Sequence, residues 1–325
     1  MPLLITHEEV RQAVSMADAI DAMEAAFLEE GEGHCILPQR INMPVNNGWL
    51  RVGPVAMEKS GWMGFKAMNL TKGWGVRYQV HLYRIETGEL LAIIDAQHLT
   101  TLRTGATSAV ATLLLARPGK AVTALLGSGP EARAQLHAMQ AIGFVSEARV
   151  FSPTAVNREQ LARDFADEYG MVIRPVASAM EACDGASLIL AAVKSTEPVI
   201  DGAWLQPGAH VNSVGTARRD QRELDIETFR RASRIVVDTR EGVFGEAGDA
   251  VAAADVVSPA SVSELHELVA GKSAKRMADD EITLFKSVGT GIQDIALAAA
   301  IYQRALDQGL GTDLGEFPYL KRNAK

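Results

Sequence analysis

The sequence predicts an α/β protein that combines a Rossmann-type doubly wound parallel sheet with a smaller α+β domain. From about Lys120 onward, short apolar segments alternate with helical ones, which is the pattern of parallel βαβ units. Before that point, apolar strands follow one another without helices between them, which indicates antiparallel pairing. A glycine-rich turn at residues 127–132 marks the first strand-to-helix junction of the alternating block. The 325 residues suffice for two domains of ordinary size.

Composition narrows the class of protein. The formal net charge is −8 and no long basic block occurs, so binding to a nucleic-acid backbone is not expected. No apolar run is long enough to span a bilayer, and the first residues lack the features of a signal peptide. Cys35 and Cys183 are the only cysteines, which argues for a reducing compartment and against a disulfide framework or a thiolate zinc site. We therefore expect a cytoplasmic protein that binds neither nucleic acid nor membrane.

The first hundred residues predict one capped helix and then a set of strands. Ser15 and Asp18 have the spacing of a capping box, and apolar residues at helical spacing follow them. Residues 86–89 form the predicted hairpin turn between the last two strands. The four strand-like runs are residues 49–55, 62–68, 78–85 and 90–94. A helix is predicted over residues 102–116, and Pro118 and Gly119 predict a linker after it.

The alternating block predicts six strands of a parallel sheet. They are AVTALLG from Ala121, ARVFS from Ala148, MVIRP from Met171, ASLILAAV from Ala186, HVNSVG from His210 and RIVVD from Arg234. Helical patterns over residues 131–142 and 158–168 separate the first of them. The block extends to about Phe285, and a final helix over roughly residues 293–307 ends at Gly309.

The turn at residues 127–132 has the G-x-G-x-x-A spacing of a dinucleotide-binding site. It follows a buried-type strand and opens a helix, which is the context that the binding mechanism requires. The first glycine permits a tight turn, and the second lets a pyrophosphate approach the amides of the helix N-terminus. The alternative is a glycine-rich turn without a ligand. The residues expected to contact the phosphates of NAD(H) or NADP(H) are Gly127, Ser128, Gly129, Pro130 and Glu131.

The end of the second strand bears on the choice of dinucleotide. A carboxylate there would hold the ribose 2′-hydroxyl of NAD, whereas small polar and basic residues leave room for the 2′-phosphate of NADP. Ser152 and Thr154 end this strand, no acid appears before Glu159, and Arg158 lies close by. The pattern favours NADP(H), with Ser152 and Thr154 as cofactor contacts. NAD(H) stays open, because Arg158 also fits a solvated helix face.

Two basic residues in the first hundred or so positions stand in settings that suit chemistry. Lys66 lies within the apolar run of residues 62–68, where an unpaired ammonium would be costly unless its head group reaches solvent at a sheet edge. Arg103 lies at the start of the predicted helix, and its forked guanidinium suits a carboxylate or phosphate. Arg40, taken alone, is a loop arginine.

Three acidic residues are candidates for a site. Glu246 and Asp249 flank a glycine, and Asp294 falls in the first turn of the last helix. Asp294 fits a helix-dipole role equally well, because acids stabilise helix N-termini. His81 and His98 lack the spacing of metal ligands, and we predict no metal site.

The chain resembles the ornithine cyclodeaminase/mu-crystallin family over nearly its whole length. The matching segments, in order, are residues 64–66, 99–109, 127–132, 207–215, 222–225 and 286–289. The resemblance implies a homodimer, and NAD(P)-linked chemistry at the carbon–nitrogen bond of small amino or imino acids. It also implies that the Rossmann domain is inserted into a domain for substrate binding and dimerisation. The predicted first domain is therefore residues 1–118 plus 293–325, and the second is residues 119–292.

The same resemblance implies roles for individual residues. Arg40, Lys66 and Arg103 would surround the substrate carboxylate, with Lys66 and Arg103 as the catalytic residues and Lys66 as a proton donor. Ser287 would lie near the nicotinamide, and Glu246 at the edge of the substrate pocket. The further expected cofactor contacts are Thr104, Val193 and Val214.

Ala217 departs from the family pattern. Members that act as cyclodeaminases or alanine dehydrogenases carry an aspartate two residues after the glycine that corresponds to Gly215. Alanine can neither take a proton from an amine nor orient a water. Asp220 comes three residues too late to be a simple substitute, although a loop could bring it round. Residues 218–224 are more similar to the mu-crystallin branch, whose members reduce cyclic ketimines.

The sequence therefore predicts an NAD(P)H-dependent reductase of small imino acids. Arg40, Lys66 and Arg103 would clamp a planar C=N–carboxylate in line with the hydride donor. Two alternatives stay open: an ornithine cyclodeaminase or alanine-type dehydrogenase, against which Ala217 counts, and a non-catalytic protein that binds NADP and a small acid. An aldehyde or alcohol dehydrogenase is not favoured, because the sequence contains neither a set of metal ligands nor a Tyr-x-x-x-Lys pair.

Overall fold

The computed structural model describes residues 1–318, and residues 319–325 of the predicted first domain lie outside the described residues. The chain divides into two compact units. The first unit is Met1–Arg103 together with the segment that begins at Thr290, and the second is Thr104–Gly289. None of the helices described in residues 1–318 has the length and apolar character needed to cross a membrane.

The first unit is built from two segments of the chain. Its leading segment contains β1 (Leu3–Ile5), α1 (His7–Ala13), α2 (Met16–Gly31), β2 (Cys35–Ile36), β3 (Ile41–Val45), β4 (Gly48–Met57), β5 (Trp62–Thr71), β6 (Gly75–Arg84) and β7 (Leu90–Asp95). Helix α3 (Gln97–Leu115) begins in this unit and continues into the second.

The second unit contains eight strands and seven α-helices after α3. They are β8 (Ala121–Leu126), α4 (Pro130–Ala141), β9 (Val145–Phe151), α5 (Ala155–Tyr169), β10 (Ile173–Pro175), α6 (Ala179–Cys183), β11 (Leu188–Ala191), β12 (His210–Ser213), α7 (Ile226–Arg231), β13 (Arg234–Val237), α8 (Arg240–Glu246), α9 (Gly248–Ala252), β14 (Ser263–Glu264), α10 (Leu265–Val269) and β15 (Thr283–Lys286). The chain then returns to the first unit with α11 (Gly291–Gln308) and β16 (Thr312–Asp313).

The sheet of the first unit has the strand order β16-β1-β7-β6-β5-β4-β2, with β3 paired to β4. Strands β4 to β7 pair antiparallel, as predicted, and Gly88 adopts a positive φ of 70° in the predicted hairpin turn between β6 and β7. Ser15 caps α2 in a complete capping box with Asp18, also as predicted. Helix α11 packs on α2 and on β5, and Gly309 ends it in the left-handed conformation.

The sheet of the second unit is wholly parallel, in the order β10-β9-β8-β11-β12-β15-β13-β14. Strand β8 has β9 on one side and β11 on the other, so the direction of winding reverses there. This doubly wound arrangement confirms the predicted fold class, and such a reversal is where ligands bind in open α/β sheets. Strand β15, which lies between β12 and β13, was not predicted as a strand.

Two features of α3 differ from the sequence-based expectation. The helix begins at Gln97, five residues before its predicted start, and the Asp95 carboxylate accepts a hydrogen bond from the Gln97 amide there over 3.1 Å. Arg103 is therefore not at a helix start. The two compact units divide within this helix rather than at the Pro118-Gly119 linker, because the later part of α3 packs into the second unit. There, Ser108 Oγ donates to Gln135 Oε1 over 3.1 Å.

Candidate active site

A buried ion pair between Lys66 and Asp294 forms the centre of the polar cluster in the first unit. Lys66 Nζ donates to Asp294 Oδ1 over 2.7 Å, and both side chains are more than nine-tenths buried. Lys66 is on the inward-facing side of β5, and Asp294 is in the first turn of α11. The helix-dipole role considered for Asp294 therefore describes only part of its environment, because its carboxylate is the counter-ion of a buried ammonium.

Arg103 joins the same cluster from α3. Its Nε lies 3.3 Å from Asp294 Oδ1, and its Nη1 donates to Gln293 Oε1 over 2.7 Å. The Gln293 side chain is fully buried, and its Nε2 has no hydrogen-bond partner among the described residues. A buried amide N–H₂ without an acceptor is costly, so Gln293 presents an unused donor inside the cluster. Sequence reasoning did not identify Gln293, although it directly precedes the candidate acid.

Lys66 has an unusual protonation equilibrium for a lysine. Burial lowers its pKa to about 8, the Asp294 carboxylate acts in the opposite direction, and the charges of Arg103 and Arg40 lower it further. Its ammonium also lies 6.0 Å from the centre of the Tyr78 ring. The group can therefore hold or release a proton close to neutral pH, which an ordinary exposed lysine cannot do.

Arg40 directly precedes β3 and is half-buried. Its charge lowers the pKa of Lys66, and its Cβ is next to Gly53, the residue that pairs with Lys66 across β4 and β5. The structure thus brings together Arg40, Lys66 and Arg103, the three basic residues that were predicted to surround a carboxylate. Lys66 and Arg103 carry two positive charges beside the single buried carboxylate of Asp294, which contacts both of them.

The glycine-rich turn of the second unit has the geometry of a phosphate cradle. Gly127 has φ +114°, and a Cβ at this position would lie 2.5 Å from the Ala192 carbonyl oxygen, so only glycine fits. A Cβ on Gly129 would meet nothing within 4 Å, which leaves open space beside the backbone at the start of α4. Pro130 is the first residue of that helix and Glu131 lies in its first turn. No side chain caps the helix, so its N-terminal amides suit an anion.

The end of β9 is tied to this turn. Ser128 Oγ donates to Ser152 Oγ over 3.0 Å, and Arg158 Nη1 donates to the Ser152 carbonyl over 2.7 Å. Arg133, from α4, contacts the Ser128 carbonyl through Nε at 3.3 Å. Thr154 is exposed and precedes α5 without capping it through its side chain. The Arg133 guanidinium is also paired with Asp164 over 2.7 Å, whereas Arg158 binds the backbone of the strand end itself, which is where doubly wound domains distinguish NAD from NADP.

Three of the other predicted cofactor contacts lie just after the ends of strands in the same sheet, and the fourth, Thr104, does not. The Val193 amide donates to Glu223 after β11, the Val214 amide donates to the Ala191 carbonyl after β12, and Ser287 Oγ donates to Asp238 Oδ2 after β15. These positions share the carboxyl edge of the sheet with the glycine-rich turn. Thr104 is instead buried on α3.

The candidate acids of the second unit have different environments. Glu246 is half-buried at the end of α8, and Asp249 is buried in an ion pair with Lys286. Ala217 lies on a half-buried loop position. Asp220 is exposed and paired with Arg218 over 2.7 Å, so it does not take the place of the missing aspartate. A residue that binds its neighbour in solvent cannot serve as a buried base.

One carboxylate and histidine cluster has the spacing of possible metal ligands. Atoms of Glu264, His266 and Glu267 approach within 4.8 Å of one another. Arg240 forms ion pairs with both carboxylates, at 3.1 Å and 2.8 Å. A guanidinium already neutralises this cluster, and the absence of a metal site stays a prediction from the sequence.

Comparisons with known proteins agree over almost the whole chain. The model of the ornithine cyclodeaminase/mu-crystallin family matches residues 2–309. Ketimine reductase mu-crystallin of Mus musculus is 32% identical over 314 residues, which cover 93% of this chain and 96% of that protein.

Two solved structures share the fold. Thermococcus litoralis Δ1-pyrroline-2-carboxylate reductase, in complex with NADH and L-proline, has a TM-score of 0.91 and 35% identity, and the match covers 96% of this chain and 100% of that one. An archaeal alanine dehydrogenase dimer with bound NAD also has a TM-score of 0.91, with 30% identity over 97% of this chain and 99% of that one.

Proposed function

The chain belongs to the ornithine cyclodeaminase/mu-crystallin family, and we propose that it is an NAD(P)H-dependent oxidoreductase that reduces small imino acids to amino acids. The observation that carries this proposal is the buried cluster of Lys66, Arg103 and Asp294, in which a lysine with a lowered pKa lies beside an arginine fork. Relatives that act as ketimine and pyrroline-2-carboxylate reductases support the reaction class.

The substrate carboxylate would bind to the basic side of this cluster. Lys66 and Arg103 carry two positive charges against the single carboxylate of Asp294, so a monoanionic substrate offsets the remaining charge. The unused Gln293 amide supplies one more donor to a carboxylate oxygen, which removes the cost of leaving it unpaired. We propose Gln293 as a substrate-binding residue in addition to those that the sequence predicts.

Lys66 would act as the general acid. A neutral imine is a poor hydride acceptor, and protonation of its nitrogen makes the adjacent carbon electrophilic. A lysine with a pKa of about 8 is charged at neutral pH and gives up its proton more readily than an exposed lysine. Asp294 keeps the ammonium in place, and Arg103 holds the substrate carboxylate so that the imine nitrogen faces Lys66.

The second unit would hold the dinucleotide at the carboxyl edge of its sheet. The tight turn at Gly127, the open space at Gly129 and the uncapped α4 fit a pyrophosphate. A bound nicotinamide supplies the hydride in the proposed reaction. The predicted contacts that follow the strand ends, Val193, Val214 and Ser287, would surround its ribose and ring. We also keep Thr104 as a proposed cofactor contact and Glu246 as a proposed contact at the rim of the substrate pocket.

We propose NADP(H) as the preferred form of the cofactor. Relatives of known structure bind NADH or NAD, so the preference rests on this chain alone. Arg158 is anchored to the Ser152 carbonyl, which places its guanidinium beside the strand end that contains no acid. Arg133 binds a carbonyl of the glycine-rich turn, but its Nη1 is paired with Asp164 over 2.7 Å, so the preference rests on Arg158. A 2′-phosphate would bind between Arg158 and the hydroxyls of Ser152 and Thr154.

We propose that the protein is a cytoplasmic homodimer. The outer residues of β3 support a second copy as the partner, because Ile41, Met43 and Val45 are between 48% and 63% exposed and alternate onto one face. Exposed apolar strands of this kind mark interaction surfaces. An archaeal relative of similar structure is a dimer. The two free cysteines support a reducing compartment.

The test is consumption of NADPH and NADH with cyclic and linear imino acids, beginning with pyrroline- and piperideine-carboxylates. Turnover with at least one of them is expected. The competing activity is ammonia release from ornithine or alanine, which Ala217 and the exposed Asp220 disfavour. Faster deamination than imine reduction would reverse this ranking. Tight cofactor binding without turnover of any substrate would indicate a binding protein instead.

A further inference from the structure

Lys286 is a fully buried lysine that the proposed reaction does not use. It ends β15, and its Nζ is surrounded by oxygen atoms from three other segments of the second unit. It donates to Thr216 Oγ1 over 2.6 Å, to Ser213 Oγ over 2.8 Å and to Asp249 Oδ2 over 2.9 Å, and it lies 3.4 Å from Glu223 Oε2. This group of five residues is called the Lys286 cluster below.

Glu223 connects the Lys286 cluster to the strand ends. Its Oε1 accepts from the Val193 amide over 2.7 Å, after β11. Its Oε2 accepts from the Gly215 amide over 2.9 Å and from Ser213 Oγ over 2.5 Å, at the end of β12. One buried carboxylate thus binds the loops after two neighbouring strands, and Lys286 adds the end of a third.

Packing leaves this arrangement little freedom. A Cβ on Gly215 would lie 2.3 Å from the Val193 amide nitrogen and 2.4 Å from Glu223 Oε1. Asp249 also accepts from the Glu223 amide over 3.2 Å, so both ends of the loop from Gly215 to Glu223 are attached to the same cluster. The loop that contains Ala217 is therefore held at each end by the same buried charges.

The Lys286 cluster lies at the carboxyl ends of β12 and β15, on one side of the switch point at β8. In a doubly wound sheet a dinucleotide lies across the carboxyl ends of the strands, with one mononucleotide on each side of the switch point. The phosphate turn and the end of β9 occupy the adenosine side, so β11, β12 and β15 form the nicotinamide side. Ionic networks of this kind can often be replaced by apolar residues without loss of stability, which makes fixed geometry the better reason for their presence.

We propose that Lys286 and Glu223 are positioning residues that fix the carboxyl-end loops of β11, β12 and β15 around the nicotinamide half of a bound dinucleotide. This inference rests on the proposed dinucleotide binding. The Lys286 cluster itself would not contact the substrate. Its buried charges would instead hold the loops that form the nicotinamide half of the binding site.

The experiment compares two ligands by calorimetry. One is the dinucleotide that the wild-type protein binds more tightly, and the other is the same molecule without nicotinamide, ADP-ribose or its 2′-phosphate. Glu223→Gln and the milder Thr216→Val should each raise the Kd of the dinucleotide by about tenfold. The Kd of the fragment without nicotinamide should stay nearly unchanged. Thr216→Val removes the hydroxyl that accepts from Lys286 and donates to Asp249 over 3.3 Å but leaves every charge in place, so it reports on the cluster even if Glu223→Gln does not fold.

Glu281→Gln is the matched control. Glu281 pairs with Arg234 over 3.2 Å near the opposite end of β15, away from the carboxyl edge of the sheet. It should change neither Kd. The inference would be overturned if Thr216→Val raised the Kd of both ligands equally, or changed neither Kd. Failure of the wild-type protein to bind any dinucleotide would instead refute the proposed function on which the inference rests.

Discussion

Asp294 Oδ1 accepts a 2.7 Å hydrogen bond from Lys66 Nζ across 228 residues of sequence. The same oxygen lies 3.3 Å from Arg103 Nε, so one carboxylate contacts two of the three basic side chains that were predicted to bind substrate. Removal of this carboxylate would leave two buried cations facing one another. Asp294 is therefore the residue on which the geometry of the cluster depends.

Replacing Lys66 with alanine should reduce the rate of imine reduction by about a hundredfold or more, because the positioned acid is lost. Calorimetry should give a dinucleotide Kd close to that of the wild type, since the cradle belongs to the second unit. Lys59→Ala is the control, because Lys59 is an exposed lysine of the same unit, paired with Glu32. A Lys66→Ala enzyme with nearly normal kcat would show that the proton comes from elsewhere.

The rate of reduction should depend on pH through Lys66. Burial lowers its pKa to about 8, so the charged, proton-donating form is lost as the pH rises through that value, and kcat/KM should fall. Asp294 acts to raise this pKa, so Asp294→Asn should move the falling limb to lower pH. Rate profiles of both proteins measure the shift. If kcat/KM of Asp294→Asn falls at the same pH as that of the wild type, the fall cannot be assigned to Lys66.

Arg158→Ala should lower the preference for NADPH over NADH by about tenfold, because a charge-assisted contact to the 2′-phosphate is removed. The ratio of kcat/KM for the two cofactors is the appropriate readout, since it cancels any general loss of activity. Arg163→Ala on the same helix, where the arginine binds Gln160, should leave the ratio unchanged. If NADH is preferred by the wild type and Arg158→Ala has no effect, the proposed preference is wrong.

His210 should make stability sensitive to acid. Burial lowers its pKa to about 3, with a further contribution from the charge of Arg276, while the unfolded chain titrates near 6.5. The unfolded state therefore binds the proton first, and the free energy of unfolding should fall as the pH drops below about 6.5. His210→Gln should flatten this slope by up to about 1.4 kcal/mol per pH unit. Urea unfolding at several pH values measures it, with His34→Gln as an exposed control.

Met43→Asp should shift the protein toward a monomer. Met43 is 48% exposed between Ile41 and Val45, and a carboxylate there could not be buried against a second copy. Light scattering across a concentration series gives the molecular mass. Val172→Asp, at an exposed apolar residue of the second unit, should leave the mass unchanged. A monomeric wild-type protein would refute the proposed dimer.

Elements that are determined by local pattern could be predicted from the sequence. Strand β8 occupies the predicted residues 121–126, and α4 begins one residue before its predicted start. Strand β15 was missed because its apolar stretch is short and follows a polar loop, and its partners β12 and β13 are far away in the sequence. A lysine at the end of that apolar stretch was the available signal for the buried charge of Lys286.

The candidate site was predictable in residue type but not in pairing. Lys66 and Arg103 were identified by an apolar setting and by motif, while their shared carboxylate comes from a helix near the other end of the described chain. Local sequence pattern shows that Asp294 can stabilise the N-terminus of its own helix. It cannot show that the Asp294 carboxylate pairs with a lysine on a distant strand. Gln293 gives no signal of its own, because an amide in a helix is usually exposed.

Strand β16 closes the first unit by pairing with β1, where Leu3 is opposite Asp313. The chain passes through the whole second unit before it returns to the first with α11 and this edge strand. A nascent chain that has reached only Gly289 holds Lys66 and Arg103 without their carboxylate, and two cations that would be buried together repel each other. If Asp294 orients Lys66 and Arg103 as proposed, a chain that stopped at Gly289 would contain the glycine-rich turn of the second unit but not the complete cluster of the first.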